Sequence, residues 1–216
     1  MVKVFLNMFA SLISKRSESS LVNAIGRMVE NNDAPFWYSR IRPGVRSFFV
    51  ENINYGILDS LLTRLDEVVP QTDFQRRDCD NSKLAVRLMQ AMSFDLLKGK
   101  TMLKPAAKSI PFYGIELDVN PDAIITWKDQ QVRYHVGAIK TKLKKTALRE
   151  EEATMIACMI KYYLQTMFPE YIVEEQYCIC YDAFRGKMYS VKNYTQNLIK
   201  ASAIAQRISL QAPVAA

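Results

Sequence analysis

The chain holds one histidine, four cysteines, seven glycines and two tryptophans in 216 residues. A single histidine makes a structural zinc site of mixed Cys and His ligands improbable. The cysteines are Cys79, Cys158, Cys178 and Cys180, and the last two are too close in sequence for an ordinary disulfide. They read as reduced, buried thiols of a cytoplasmic protein. No apolar run approaches the roughly 18 residues of a membrane span, so no membrane role is expected. The opening segment, MVKVFLNMFASLISKR, has one Lys before its apolar stretch but no clear cleavage site, and reads as an amphipathic helix. Internal repeats and low-complexity tracts are absent.

What is abundant is positive charge. Lys and Arg total 29 against 22 acids, a net charge of +7 with a pI near 9.2. That balance favours polyanionic partners without proving one.

The pattern along the chain predicts one or two helices in residues 1–30. A loop follows with the cluster Phe36-Trp37-Tyr38 beside Arg40, Arg42 and Arg46. Those aromatics read first as a plug packing the helical arm on the body, and second as a base-stacking contact. A helix is expected over 47–69, ended by Pro70, then a polar loop over 71–82. Ser82 is expected to cap a helix to about Leu97. After a linker come three strands, 114–118, a second after Pro121-Asp122, and 132–140, in a short meander. A long helix capped by Thr146 and closed by Pro169 follows, then a strand pair at 177–182 and 187–191, then a last helix from Asn193. The prediction is an α/β fold, a central mixed sheet flanked by helices, with a helical extension at residues 1–81 and a core at 82–216.

Within that core the chemistry gathers on the meander. Along 132–140 the side chains alternate, placing Tyr134, Val136, Ala138 and Lys140 on one face and His135 on the other. Asp122 at the start of one strand and Lys140 at the end of the next are expected to meet. Each also has a plain reading, Asp122 as a turn residue after Pro121 and Lys140 as one of a solvated run with Lys142, Lys144 and Lys145. Glu150, Glu151 and Glu152 suit the first turn of the following helix, whose dipole favours negative charge.

Residues 82–209 resemble the PD-(D/E)XK nuclease superfamily, in its RecB-like and restriction-endonuclease branches. The resemblance rests on Pro121-Asp122, the strand VRYHVGAIK ending in Lys140, the helix behind it and the strand pair after that. It implies a restriction-endonuclease-like core that hydrolyses phosphodiester bonds with Mg²⁺ or Mn²⁺. Asp122 and the backbone carbonyl of Ile139 would be metal ligands, and Lys140 would assist the nucleophile. Lys142, Lys144, Lys145 and Arg149 would track nucleic acid, DNA ahead of RNA. The departure is Ala138, which stands where the family has its second acid. Three explanations remain open: an acid relocated to Glu151 or Glu152, a natural non-catalytic relative, or an engineered substitution. Glu116 and Asp118 are weaker candidates for an added ligand, and Gln90 and Asp95 for an accessory acid. The alternative function is a catalytically inactive nucleic-acid-binding or interaction module, whose amino-terminal helices would serve a homo-oligomer or partner.

Overall fold

The computed structural model describes residues 1–15, 17–30, 38–146 and 148–211. Its order begins with β1 (Val2–Phe5), α1 (Leu6–Ile13), α2 (Glu18–Glu30), α3 (Arg42–Val50), α4 (Tyr55–Asp66) and α5 (Asp73–Gln90). A 3-10 turn then leads to β2 (Thr101–Leu103), β3 (Ser109–Phe112), β4 (Ile115–Asp118), β5 (Ala123–Lys128) and β6 (Tyr134–Lys142). The chain closes with α6 (Glu150–Met167), β7 (Ile172–Asp182), β8 (Lys187–Tyr189) and α7 (Tyr194–Gln211).

The fold is α/β. A five-stranded mixed sheet runs β2-β5-β6-β7-β8, with β6 and β7 parallel and the other neighbours antiparallel. A second sheet of three strands runs β1-β4-β3. Both faces of the larger sheet are covered, as a parallel strand pair requires. One core gathers Phe9, Val136, Ala138, Ile156, Ile160 and Ile208, and the other gathers Phe48, Leu58, Met89, Ile125, Ile139 and Tyr181.

The expected meander exists, but its first strand is different. β2 pairs with β5, whereas the 114–118 segment joins the smaller sheet as β4. The β3–β4 hairpin is thus an insertion between two strands of the main sheet. Its two-residue turn, Tyr113-Gly114, has positive φ at both positions (41° and 86°), the conformation that matches strand twist. A Cβ on Gly114 would also lie 2.5 Å from the Ser209 hydroxyl.

Other expectations change as well. Residues 2–5 form a strand, parallel to β4, rather than part of a helix. The expected helix over 47–69 is broken at Asn52 and Ile53, both with positive φ, and Asn54 caps α4 by accepting from the Gly56 N–H. The expected loop over 71–82 is the first half of α5, capped by Thr72, which accepts from the Gln75 N–H. The boundary expected after residue 81 therefore falls inside a helix, and Ser82 is a buried mid-helix residue. α6 begins after Arg149 rather than at Thr146.

The pairing of β6 with β7 shifts register between Val136 and Ala138, whose partners are Val173 and Cys178. Gly137 stands at the shift, and a Cβ there would lie 2.4 Å from Tyr177 Cβ and 2.6 Å from its carbonyl oxygen. Backbone cannot yield cheaply, so Gly137→Ala is expected to cost about 2 kcal/mol in urea unfolding.

Candidate phosphate-binding site

The antiparallel pairing of β5 with β6 sets Ala123 opposite Ile139, which brings Asp122 beside the end of β6. The Asp122 N–H donates to the Ile139 carbonyl at 2.7 Å. Its carboxylate is buried and accepts from the Thr141 N–H at 2.6 Å through Oδ2. The other oxygen, Oδ1, faces Arg46 Nε at 3.5 Å. Lys140 is also buried and donates to the Asn120 carbonyl at 2.8 Å, rather than to Asp122 directly. Burial pushes its pKa down to about 8; the Asp122 charge opposes that shift and Arg42 adds to it.

Asn120 organises this corner. Its φ of 40° is a left-handed conformation that Asn tolerates better than most residues. Its N–H donates to the Lys108 carbonyl at 2.7 Å and its side chain accepts from Arg46 at 2.6 Å. Asn120 was visible only as a residue before Pro121, with no pattern to mark it.

Above these groups lies a hollow of about 690 Å³ lined by Arg42, Arg46, Lys140, Lys142, Lys144 and Lys145. Asp118 is the acid in its lining, and it is already 3.6 Å from Lys3. Arg42 and Arg46 arrive from α3, and the lysines from β6 and the loop after it. Burial lowers the Lys142 pKa as well, with Lys144 acting in the same direction.

No family model matches this chain, and no curated protein does.

The remaining sequence candidates separate into those near the hollow and those elsewhere. Ala138 faces the first core and is fully buried there, so its methyl group lies among apolar side chains. Glu152 accepts from the Ser14 hydroxyl at 2.8 Å and lines a neighbouring hollow of about 920 Å³ with Arg149. Lys142, Lys144, Asn7, Met8 and Thr146 line both hollows. Glu152 therefore approaches Lys142, on which its charge acts, rather than Lys140. Glu151 is exposed and lines neither hollow. Glu150 pairs with Lys192 at 2.7 Å.

Glu116 accepts from the Ser109 hydroxyl at 2.5 Å. Gln90 donates to Asp59, and Asp95 pairs with Lys98 beside a separate cavity. His135 lies towards the other end of β6, where its ring nitrogens face Glu174 at 2.8 Å and Asp129 at 3.1 Å. Tyr38 is buried in the second core; Phe36 and Trp37 lie outside the described residues.

Among the described residues no group of three or more His, Cys, Asp or Glu could hold a metal ion. The Ile139 carbonyl and both Asp122 oxygens already have partners, and the surrounding field is positive. No helix among the described residues is long and apolar enough to cross a membrane.

Proposed function

We propose that the hollow grips the phosphate backbone of nucleic acid, on a frame resembling PD-(D/E)XK nucleases with Ala138 at the position of the second acid. The observation that carries the reading is the lining: six cationic side chains converge around one acid already paired. Phosphates in a low-dielectric hollow edged by Lys and Arg are held by charge and by counterion release, independently of sequence. The frame supports the resemblance through its order of helix α5, antiparallel β2-β5-β6, helix α6 and parallel β7, with Pro121-Asp122 and Lys140 on adjoining strand ends.

A second reading is metal-assisted hydrolysis, and one observation favours it. Lys140 is buried near Asp122 with its pKa lowered to about 8, which suits a group that must exchange a proton near neutral pH.

The test is fluorescence anisotropy with labelled single- and double-stranded DNA and RNA at several salt concentrations, beside a cleavage assay with Mg²⁺ and Mn²⁺. Binding without metal is expected, weakening as salt rises. Lys142→Gln with Lys144→Gln should reduce the logarithmic salt slope by about 2. The sign of the pH effect follows from Lys140: protonated it attracts phosphate, so affinity should fall as pH rises through about 8. Lys140→Met should weaken that dependence. Cleavage that Asp122→Asn and Lys140→Met both abolish would establish the hydrolytic reading instead. Failure of every nucleic acid to bind or be cut would overturn both.

A further inference from the structure

We infer that the nucleic acid presents an unpaired base beside the bound phosphates, and that Phe5 is the ring on which this base stacks. This rests on the phosphate-binding reading and names the substrate class for the same hollow.

Phe5 ends β1, where alternation sends Val4 into the core and leaves Phe5 on the outer side, 40% exposed. A single exposed aromatic is unremarkable on a protein surface. Two observations set this one apart. Phe5 lines the same hollow as Arg42, Arg46 and Lys140. Its backbone is also fixed, because Phe5 is opposite Asp118 in the β1–β4 ladder and the next residue begins α1. The residue's backbone is therefore positioned beside the cations before any ligand arrives.

An apolar ring among phosphate-binding cations gains nothing from a phosphate. A base is the part of a nucleotide that can cover it, and base–aromatic stacking tolerates any base because each has a π-face. In a duplex the base faces are already stacked on each other, so a single strand or a frayed end is the form that satisfies both features.

The experiment is a titration of the full chain with a labelled single-stranded oligonucleotide, an oligonucleotide of the same length with abasic residues, and a hairpin duplex. The base-bearing single strand is expected to bind about tenfold tighter than the abasic one. Phe5→Ala should erase that difference and leave the salt slope unchanged, while Phe5→Trp should retain it and show indole quenching on binding. Equal affinity for base-bearing and abasic strands would overturn the stacking role while leaving phosphate binding intact. So would a Phe5→Ala loss shared equally by both oligonucleotides, since that would be a packing effect. Tighter binding of the hairpin than of the single strand would likewise overturn it. Absence of salt-sensitive binding to any of the three would remove the phosphate reading itself.

Discussion

Ala138→Glu is expected to destabilise the protein by about 4 kcal/mol or more instead of restoring a metal site. Position 138 is fully buried, and its neighbours along the ladders are Ile124 on β5 and Cys178 on β7. The side chain enters the core formed with α1 and α6, where Phe9, Ala157 and Ile160 also lie. A glutamate adds volume to a filled space, which alone costs about 1–3 kcal/mol. It also adds a carboxyl group with no partner, which burial would hold in its neutral form. For a chain of this size the melting temperature should fall by roughly 10 °C.

The pH dependence gives a signature for Ala138→Glu. A carboxyl whose pKa is raised on folding keeps more protons in the native state than in the unfolded one. Its penalty is therefore smallest in acid and grows as pH rises above the ordinary glutamate range. Thermal melts at a series of pH values, read as differences from the parent, would display it. Parent-like stability together with new Mg²⁺-dependent cleavage would show that the core opens to admit the acid.

The second large effect concerns Asp122. Asp122→Ala removes the acceptor of the Thr141 N–H, the partner of Arg46 and the charge that favours protonated Lys140. Breaking one side of a buried charge arrangement costs about 3–5 kcal/mol, because the remaining charge stays desolvated. Asp122→Asn should lose less, since its amide oxygen can still accept from Thr141. The double variant Asp122→Ala with Lys140→Met should recover part of the loss, a coupling of about 1–3 kcal/mol in a urea double-mutant cycle. Strict additivity of the two substitutions would show that Asp122 does not act on Lys140.

The sequence conveyed the main sheet well where alternation and turn residues coincide. Residues 132–140, the Pro121-Asp122 step and the Arg185-Gly186 turn all lead to strands that pair as their patterns suggest. The approach of Asp122 to the end of β6 was legible for the same reason. The first half of α5 was not, because DFQRRDCDNS lacks a conspicuous apolar stripe; the signal was Thr72 followed by Gln75, an N-terminal capping pattern. β1 was hidden because four residues of VKVF also satisfy a helix, and only the distant partner β4 decides between the two.

The site was readable in part. Lys142, Lys144 and Lys145 line the hollow with Lys140, as their run suggested, but Arg42 and Arg46 come from α3 and converge on it only through tertiary packing. Asn120 and Phe5 carried no local signal at all, since a left-handed backbone and a position at a hollow's rim are properties of the assembled chain. Glu151 and Glu152 show the limit of spacing as a guide. Consecutive residues on a helix project about 100° apart, so one faces Ser14 and the other faces solvent.

The β1–β4 ladder joins Val2 to Ile115, closing a loop of roughly a hundred residues whose entropy must be met before the pairing gives anything back. Arg46, Phe5 and Lys140 are brought to one place only when that ladder and the β5–β6 pairing are both complete. The hollow is thus a late product of folding, and its formation should track the slowest refolding phase rather than the appearance of helix. During synthesis the apolar face of α1 emerges long before α6, the helix it packs against, and stays uncovered until that helix is made.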